Sequence, residues 1–280
     1  MNTIQNDTKK VFKKCGTCSH TFFFLLNREF GYPKENEELA SDPLAGGLSN
    51  QGYQCGMLWG ASLAVGAESF RRHDNRSKAI ATAITATQQI LKSFVQKTNT
   101  ANCREITGCN LTSIFGMMKL GIKIIVKGME NSQCFNLAAD WTSGAIQSAK
   151  TGLSQQQTDL SQTVMSCACE VAKKMGANEE EMVMVAGFAG GYGLSGNACG
   201  ALAAAIWMNT LNWCKQNPGK TPPYFKNPHT KKTMEAFCNE TNSNFLCNKI
   251  TGQTFKTIDD HSEFIKNGGC DKLINVLAQS

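Results

Sequence analysis

A chain of 280 residues, 41% hydrophobic and 18% charged, carries enough apolar material for a sizeable core in one large or two ordinary domains. The net charge of +6 is mild, and the lysines fall in scattered pairs (Lys9-Lys10, Lys13-Lys14, Lys231-Lys232) rather than a dense basic stripe, which excludes a nucleic-acid footprint. The polar opening MNTIQNDTKKVFKK and the short apolar run Phe22 to Leu26 make no signal peptide, and no run approaches the ~20 apolar residues of a membrane helix, so a cytoplasmic protein without a membrane span is expected.

Taken in chain order, the pattern is almost wholly helical. Helices are expected over Phe22 to Glu29, the Ala/Leu/Met-rich Cys55 to Arg72, Lys78 to Lys97, Leu120 to Val126 and Phe135 to Ala149. Within Lys78 to Lys97, Ile80, Ile84, Leu91, Phe94 and Val95 recur at helical spacing. The Met-rich stretch Gly116 to Val126 reads as core. Further helices are expected over Asp159 to Met175, Glu179 to Val185, Cys199 to Trp213, Lys231 to Phe237 and Asp271 to Gln279. Met182 to Ala186 has the composition of a short strand, but Glu179-Glu180-Glu181 before it suit the first turn of a helix. The polar segment Thr151 to Thr158 suits a junction, and the Pro-rich Asn217 to Pro228 a surface loop.

One pattern occurs twice. Gly46-Gly47, Gly52 and Cys55-Gly56 repeat at identical spacing as Gly190-Gly191, Gly196 and Cys199-Gly200. Cys103, opening Cys-Arg-Glu-Ile-Thr-Gly, lies 48 residues after Cys55, and Cys247, opening Cys-Asn-Lys-Ile-Thr-Gly, lies 48 residues after Cys199. Cys134 and Cys270 pair at the far end, each opening a terminal helix. At the near end, counting back 13 residues from the matched Gly31 and Gly176 reaches Cys18 in one copy and Thr163 in the other; Cys167 stands one helical turn beyond Thr163. The expected fold class is therefore all-α: two tandem helical repeats, residues 1–152 and 153–280, packed as a pseudo-dimer with their Cys-Gly helices buried near each other. A further homo-oligomer is compatible with this.

Thirteen cysteines, an odd number, do not suit a disulfide framework in a reducing compartment. Four thiols per copy is the ligand count of tetrahedral zinc or an iron–sulfur cluster: Cys18, Cys55, Cys103 and Cys134, then Cys167, Cys199, Cys247 and Cys270. Cys109, Cys169, Cys214 and Cys238 are not repeated and read as core or incidental, with Cys109 close enough in sequence to serve as a spare ligand. A thiolate where a glycine loop becomes a helix gains from the dipole and free N–H groups, and Gly56 and Gly200 let backbone approach a cofactor.

Phe12 and Cys18 leading into a helix, the glycine loop into Cys55-Gly56 with Gly60 beyond, the Cys103-Arg-Glu-Ile-Thr-Gly108 segment and the late Cys134 together resemble the C_GCAxxG_C_C family of redox-active proteins, and the likeness extends over both halves. The resemblance, through relatives that include split-Soret-type cytochromes, implies iron–sulfur binding and electron transfer with a redox partner protein. Met57 stands in place of the motif alanine, Ala204 in place of its second glycine, and Thr163 in place of its first cysteine, so the first copy is the more complete.

Two other readings stand beside the cluster. One is a metal-free thiol–disulfide protein in which Cys15 and Cys18, a Cys-x-x-Cys, form the active pair and Cys55 resolves it. The other is a structural zinc protein. Covalent c-type haem is not expected, because Ser19 follows Cys18 and His20 comes one place late. Gly191-x-Gly193-x-x-Gly196 spells a dinucleotide fingerprint without the alternating strands that would give it meaning, so no NAD is expected.

Overall fold

The computed structural model describes residues 3–155, 163–223 and 227–280. Among them there is no strand, only two isolated bridges, and the chain is all-α. The first half runs α1 (Thr3–Cys15), α2 (Cys18–Glu29), α3 (Glu35–Leu39), α4 (Gly56–Arg72), α5 (Arg76–Thr98), α6 (Cys103–Thr107), α7 (Ile114–Lys127) and α8 (Gln133–Leu153), with 3-10 turns at 42–44 and 129–131. The second runs α9 (Cys167–Lys174), α10 (Glu179–Met184), a 3-10 turn at 186–188, α11 (Gly200–Gln216), α12 (Pro228–Thr241), α13 (Cys247–Thr251), α14 (Ile258–Lys266) and α15 (Asp271–Ala278). The order α2 to α8 repeats as α9 to α15.

The helices begin where the side chains can cap them. Thr17, Asn75 and Ser113 each accept an N–H of the first turn of α2, α5 and α7, and Asn178 with Glu181 forms a reciprocal capping box on α10. That box resolves the ambiguity at Met182 to Ala186 in favour of a helix ending in a 3-10 turn. The helix expected from Asp159 begins instead at Cys167; its residues 159–162 lie outside the described residues. The polar junction is helical to Leu153, and Asn217 to Pro228 is non-helical up to the Asn227 cap wherever described.

The two copies pack as a pseudo-dimer by exchanging equivalent contacts. Helix α4 packs on α10 and the 186–188 turn, and α11 reciprocally on α3 and the 42–44 turn. The Cys-Gly helices thus meet chiefly through the other copy's short helices. At the centre Trp59, fully buried, meets Phe188 and Tyr192 edge-on at 4.8 and 5.1 Å, and the Tyr192 hydroxyl donates to Leu58 O at 2.6 Å. Trp207 donates to Glu37 O at 3.1 Å, and Tyr53 stacks on Phe245. Burying one such ring contributes on the order of 2–3 kcal/mol, so this aromatic seam binds the halves more firmly than its rim of ion pairs, Lys34–Glu180 and Arg76–Glu179.

One expectation fails. The stretch Gly116 to Val126 is not core: Met118, Ile122, Ile125 and Val126 are 57%, 57%, 82% and 78% exposed. Helical periodicity shows that a helix has an apolar side, not that anything covers it.

Candidate functional site

Each copy builds its cysteine site from a run of backbone that L-residues rarely adopt. Gly46, Gly47, Leu48, Ser49 and Asn50 have φ of 69, 77, 67, 51 and 64°, and Gly190, Gly191, Tyr192, Gly193 and Leu194 have 58, 78, 71, 58 and 65°. Five consecutive left-handed residues form a reversed turn, costing roughly 1–2 kcal/mol at each residue with a side chain. The cost is offset by ordered hydrogen bonds: Ser49 N to Pro43 O at 2.8 Å and Gly52 N to Gly46 O at 3.0 Å, matched by Gly193 N to Gly187 O and Gly196 N to Gly190 O. The Gly191-x-Gly193-x-x-Gly196 string is this turn, with no strand before it among the described residues.

The turn delivers Cys55 to the N-cap of α4 and Cys199 to the N-cap of α11. Cys55 N bonds Ala101 O and Cys103 N bonds Tyr53 O, at 2.8 and 2.7 Å; Cys199 N bonds Phe245 O and Cys247 N bonds Asn197 O, at 2.8 and 2.6 Å. These ladders explain the shared separation of 48 residues: each fixes two cysteines side by side. Cys18 and Cys167 are the first residues of α2 and α9, behind caps Thr17 and Ser166. Cys167, not Thr163, is therefore the counterpart of Cys18. Helix α9 has 8 residues against 12 in α2, one turn fewer, and counting back from the terminal glycine lost that turn. Cys134 opens α8 and Cys270 caps α15.

In the first copy the four repeated thiols lie near enough to feel one another's charge. The neighbouring Cys55 thiol is the largest cause holding Cys18 below the ordinary thiol value; burial opposes it, while the N–H groups of Gly46, Cys18 and Gly56 add to the lowering. Cys55 is pushed far up by its closeness to Cys18, by burial and by the charge on Cys18. The asymmetry is physical: Cys18 sits in the N–H nest at a helix start, so the negative charge belongs there. Gly56 is indispensable to this contact, because a Cβ at that position would lie 2.5 Å from Cys18 Sγ and 2.9 Å from Ala45 Cα. Cys103 and Cys134 feel the Cys18 charge but rise mainly through burial, Cys134 to about 12, and Cys109 lies close enough to raise both.

The second copy opens the same arrangement slightly. Cys167, Cys199, Cys247 and Cys270 line a cavity of about 10 Å³ together with Gly200 and His261. The N–H groups of Gly190, Ala168, Cys167 and Ala201 point at the Cys167 sulfur, but burial outweighs them and its pKa rises. Cys199 is pushed up to about 12 by burial and by Cys167. His261, 1% exposed, stands edge-on to Phe255, and burial holds it neutral down to about pH 4 despite a backbone hydrogen bond to Met165.

Four thiols per copy suit an iron–sulfur cluster or zinc in number and kind. The spacing does not: among the described residues no group of three or more Cys, His, Asp or Glu side chains lies close enough together to hold a metal ion, and the second-copy cavity has room for about one water.

Cys15 is drawn elsewhere. It neighbours His20, whose Nδ1 lies 3.5 Å from Asp42 Oδ1; burial works against the charged imidazole, but Asp42 and Cys15 together raise it to about 9. Asp42 also accepts from Thr17 Oγ1 at 2.7 Å, tying this group to the cap of α2. Asp42 has no signal in the sequence, and only the fold brings it across from the 42–44 turn to His20. Of the unrepeated cysteines, Cys169 donates to Met182 O at 3.1 Å and Cys214 is buried.

No helix among the described residues is long and apolar enough to cross a membrane. No curated protein and no solved structure matches the chain. A family model does match, twice, at residues 16–146 and 160–280, under the description "Putative redox-active protein (C_GCAxxG_C_C)". Those two segments hold the duplicated turns, the paired ladders and all four repeated thiols of each site, and the chain belongs to the C_GCAxxG_C_C family as a tandem pair.

Proposed function

We propose that the chain is a thiol–disulfide redox protein whose working pair is Cys18 and Cys55. The observation that carries this reading is the close, oppositely shifted pair itself: a thiol lowered at a helix start, packed tightly on Gly56, beside one pushed up. The Cys18 thiolate attacks a disulfide of a redox partner protein, forming a mixed disulfide and releasing the partner's other sulfur as a thiolate. Bonding the Cys18 sulfur removes its negative charge, and with it much of what keeps Cys55 protonated. Cys55 then gives its proton to the released thiolate and attacks Cys18, expelling the partner's second thiolate. One protein thiolate and one protein thiol become a disulfide, and one partner disulfide becomes a thiol and a thiolate. A cytoplasmic setting suits such a pair, since it keeps the remaining thiols reduced.

The test equilibrates the protein in buffers of graded thiol–disulfide ratio and maps the product by mass spectrometry. A reversible Cys18–Cys55 disulfide as the first product supports the reading. A Cys15–Cys18 disulfide first, or no reversible couple, sinks it.

A second reading is an iron–sulfur cluster held by the same cysteines for electron transfer. Recurrence of four neighbouring thiols in both copies favours it. It requires the four thiols of a site to draw closer together than they stand. Bound, the cluster would supply one-electron chemistry, with Cys18, Cys55, Cys103 and Cys134 as its holders. Iron and sulfide in stoichiometric amounts after anaerobic isolation would support it; zinc or no metal would exclude it.

A further inference from the structure

Between the third and fourth repeated cysteines the copies diverge most. From Gly108 to Cys134 the first copy spans 26 residues, and from Gly252 to Cys270 the second spans 18. The shorter segment forms α14, with Asp259, Asp260 and Glu263 and a buried inner side made of His261 and Ile265. The longer one forms α7, IFGMMKLGIKIIVK, which has no acidic residue at all. Between Glu105 and Glu130 the chain carries Lys119, Lys123 and Lys127 and no carboxylate.

The orientation of α7 is fixed. A Cβ on Gly116 would lie 1.8 Å from Asn110 O, so that face is pressed against the preceding loop. Leu120 packs on Cys103, Cys109 and Leu111. Lys119 Nζ donates to Gly108 O at 3.1 Å and Lys123 Nζ to Thr107 O at 2.8 Å, where the end of α6 leaves free carbonyls. The opposite side presents Ile114, Phe115, Met118, Ile122, Ile125 and Val126 to solvent, each at least 57% exposed. At 100° per residue these positions with Met117 cover an arc of about 180°. Such breadth exceeds the narrow seam of a paired coiled coil. Helix α1 brings Lys13 to this end, bonded to Glu130 just past α7, while Lys10 pairs with Asp7 of its own helix.

We propose that α7 docks the first copy onto an anionic lipid surface, lying in the plane of the interface with its apolar arc in the acyl boundary and its lysines at headgroup level. The alternative occupant, α7 of a second copy, would cover only a narrow seam of this wide arc and offers no carboxylate to the segment's lysines. Anionic headgroups supply the missing charge. Because α7 lies against Cys103 and Cys109, docking would hold the first-copy thiols beside the membrane surface. The proposal does not depend on the redox reading.

The experiment is sedimentation of the full chain with phosphatidylcholine vesicles, with and without phosphatidylglycerol. Wild type should partition onto the anionic vesicles and release as salt is raised. Ile122→Glu combined with Ile125→Glu should weaken that partitioning about tenfold or more, while thermal unfolding stays unchanged because both positions are exposed. As a second reporter, Phe115→Trp should shift its fluorescence to the blue on adding anionic vesicles. Absence of binding, equal binding by the double variant, or a wild-type dimer that the double variant abolishes would each overturn the proposal.

Discussion

Replacing Gly56 with alanine tests the closeness of α2 and α4 at the thiol pair. The new Cβ would fall 2.5 Å from Cys18 Sγ, 2.9 Å from Ala45 Cα and 3.2 Å from Ser19 N. Two of these neighbours are backbone and the third is the sulfur whose position defines the site, so no flexible side chain can move away. Overpacking of this kind costs about 1–3 kcal/mol, while alanine's better helix propensity returns less than about 1 kcal/mol. The net loss of roughly 1–2 kcal/mol corresponds to a melting temperature lower by about 2–8 °C for a chain of this size. Gly121→Ala is the control: nothing lies within 4 Å of its Cβ, so it should stabilise α7 slightly. Thermal and urea unfolding of both variants decide the matter. A Gly56→Ala protein as stable as wild type would refute the packing described at the Cys18–Cys55 contact.

Burial of neutral His261 makes the second copy acid-sensitive. Its folded pKa of about 4 lies below the ordinary 6.5, so the unfolded chain binds the proton first. Stability should fall as pH drops below 6.5 and level off near 4, by on the order of 3 kcal/mol at most. Urea midpoints measured across that range should lose this slope in His261→Leu. Tyr192→Ala removes a fully buried ring from the seam between the copies and should cost about 3–5 kcal/mol in unfolding free energy, despite leaving every cysteine in place. A loss under 1 kcal/mol would mean that the halves cohere by other contacts.

The repeated glycines and cysteines were legible because the left-handed turn tolerates few residues at Gly46, Gly47 and Gly52, and the Cys55–Ala101 and Cys199–Phe245 ladders fix the spacing between thiols. Helix type was legible from periodicity. The second copy's first thiol, Cys167, was reached only by allowing for a displacement of one helical turn, because a turn deleted from α9 shifts every count made from its C-terminal glycine. The exposed face of α7 was misread for a related reason: a sequence shows which side of a helix is apolar, while coverage depends on what the rest of the chain brings there. The His20–Asp42 contact joins residues 22 apart through a 3-10 turn, and no local pattern announces it.

The account stands most directly on the charge of one sulfur. The rate of iodoacetamide alkylation of Cys18, resolved by peptide mass spectrometry, should be followed against pH in wild type and in Cys55→Ala. The structure predicts that Cys18 titrates below the ordinary thiol value of 9.0 in wild type and moves upward when the Cys55 thiol is removed. A Cys18 that titrates at or above 9.0, or is indifferent to the loss of Cys55, would contradict the assignment of the two as a redox pair.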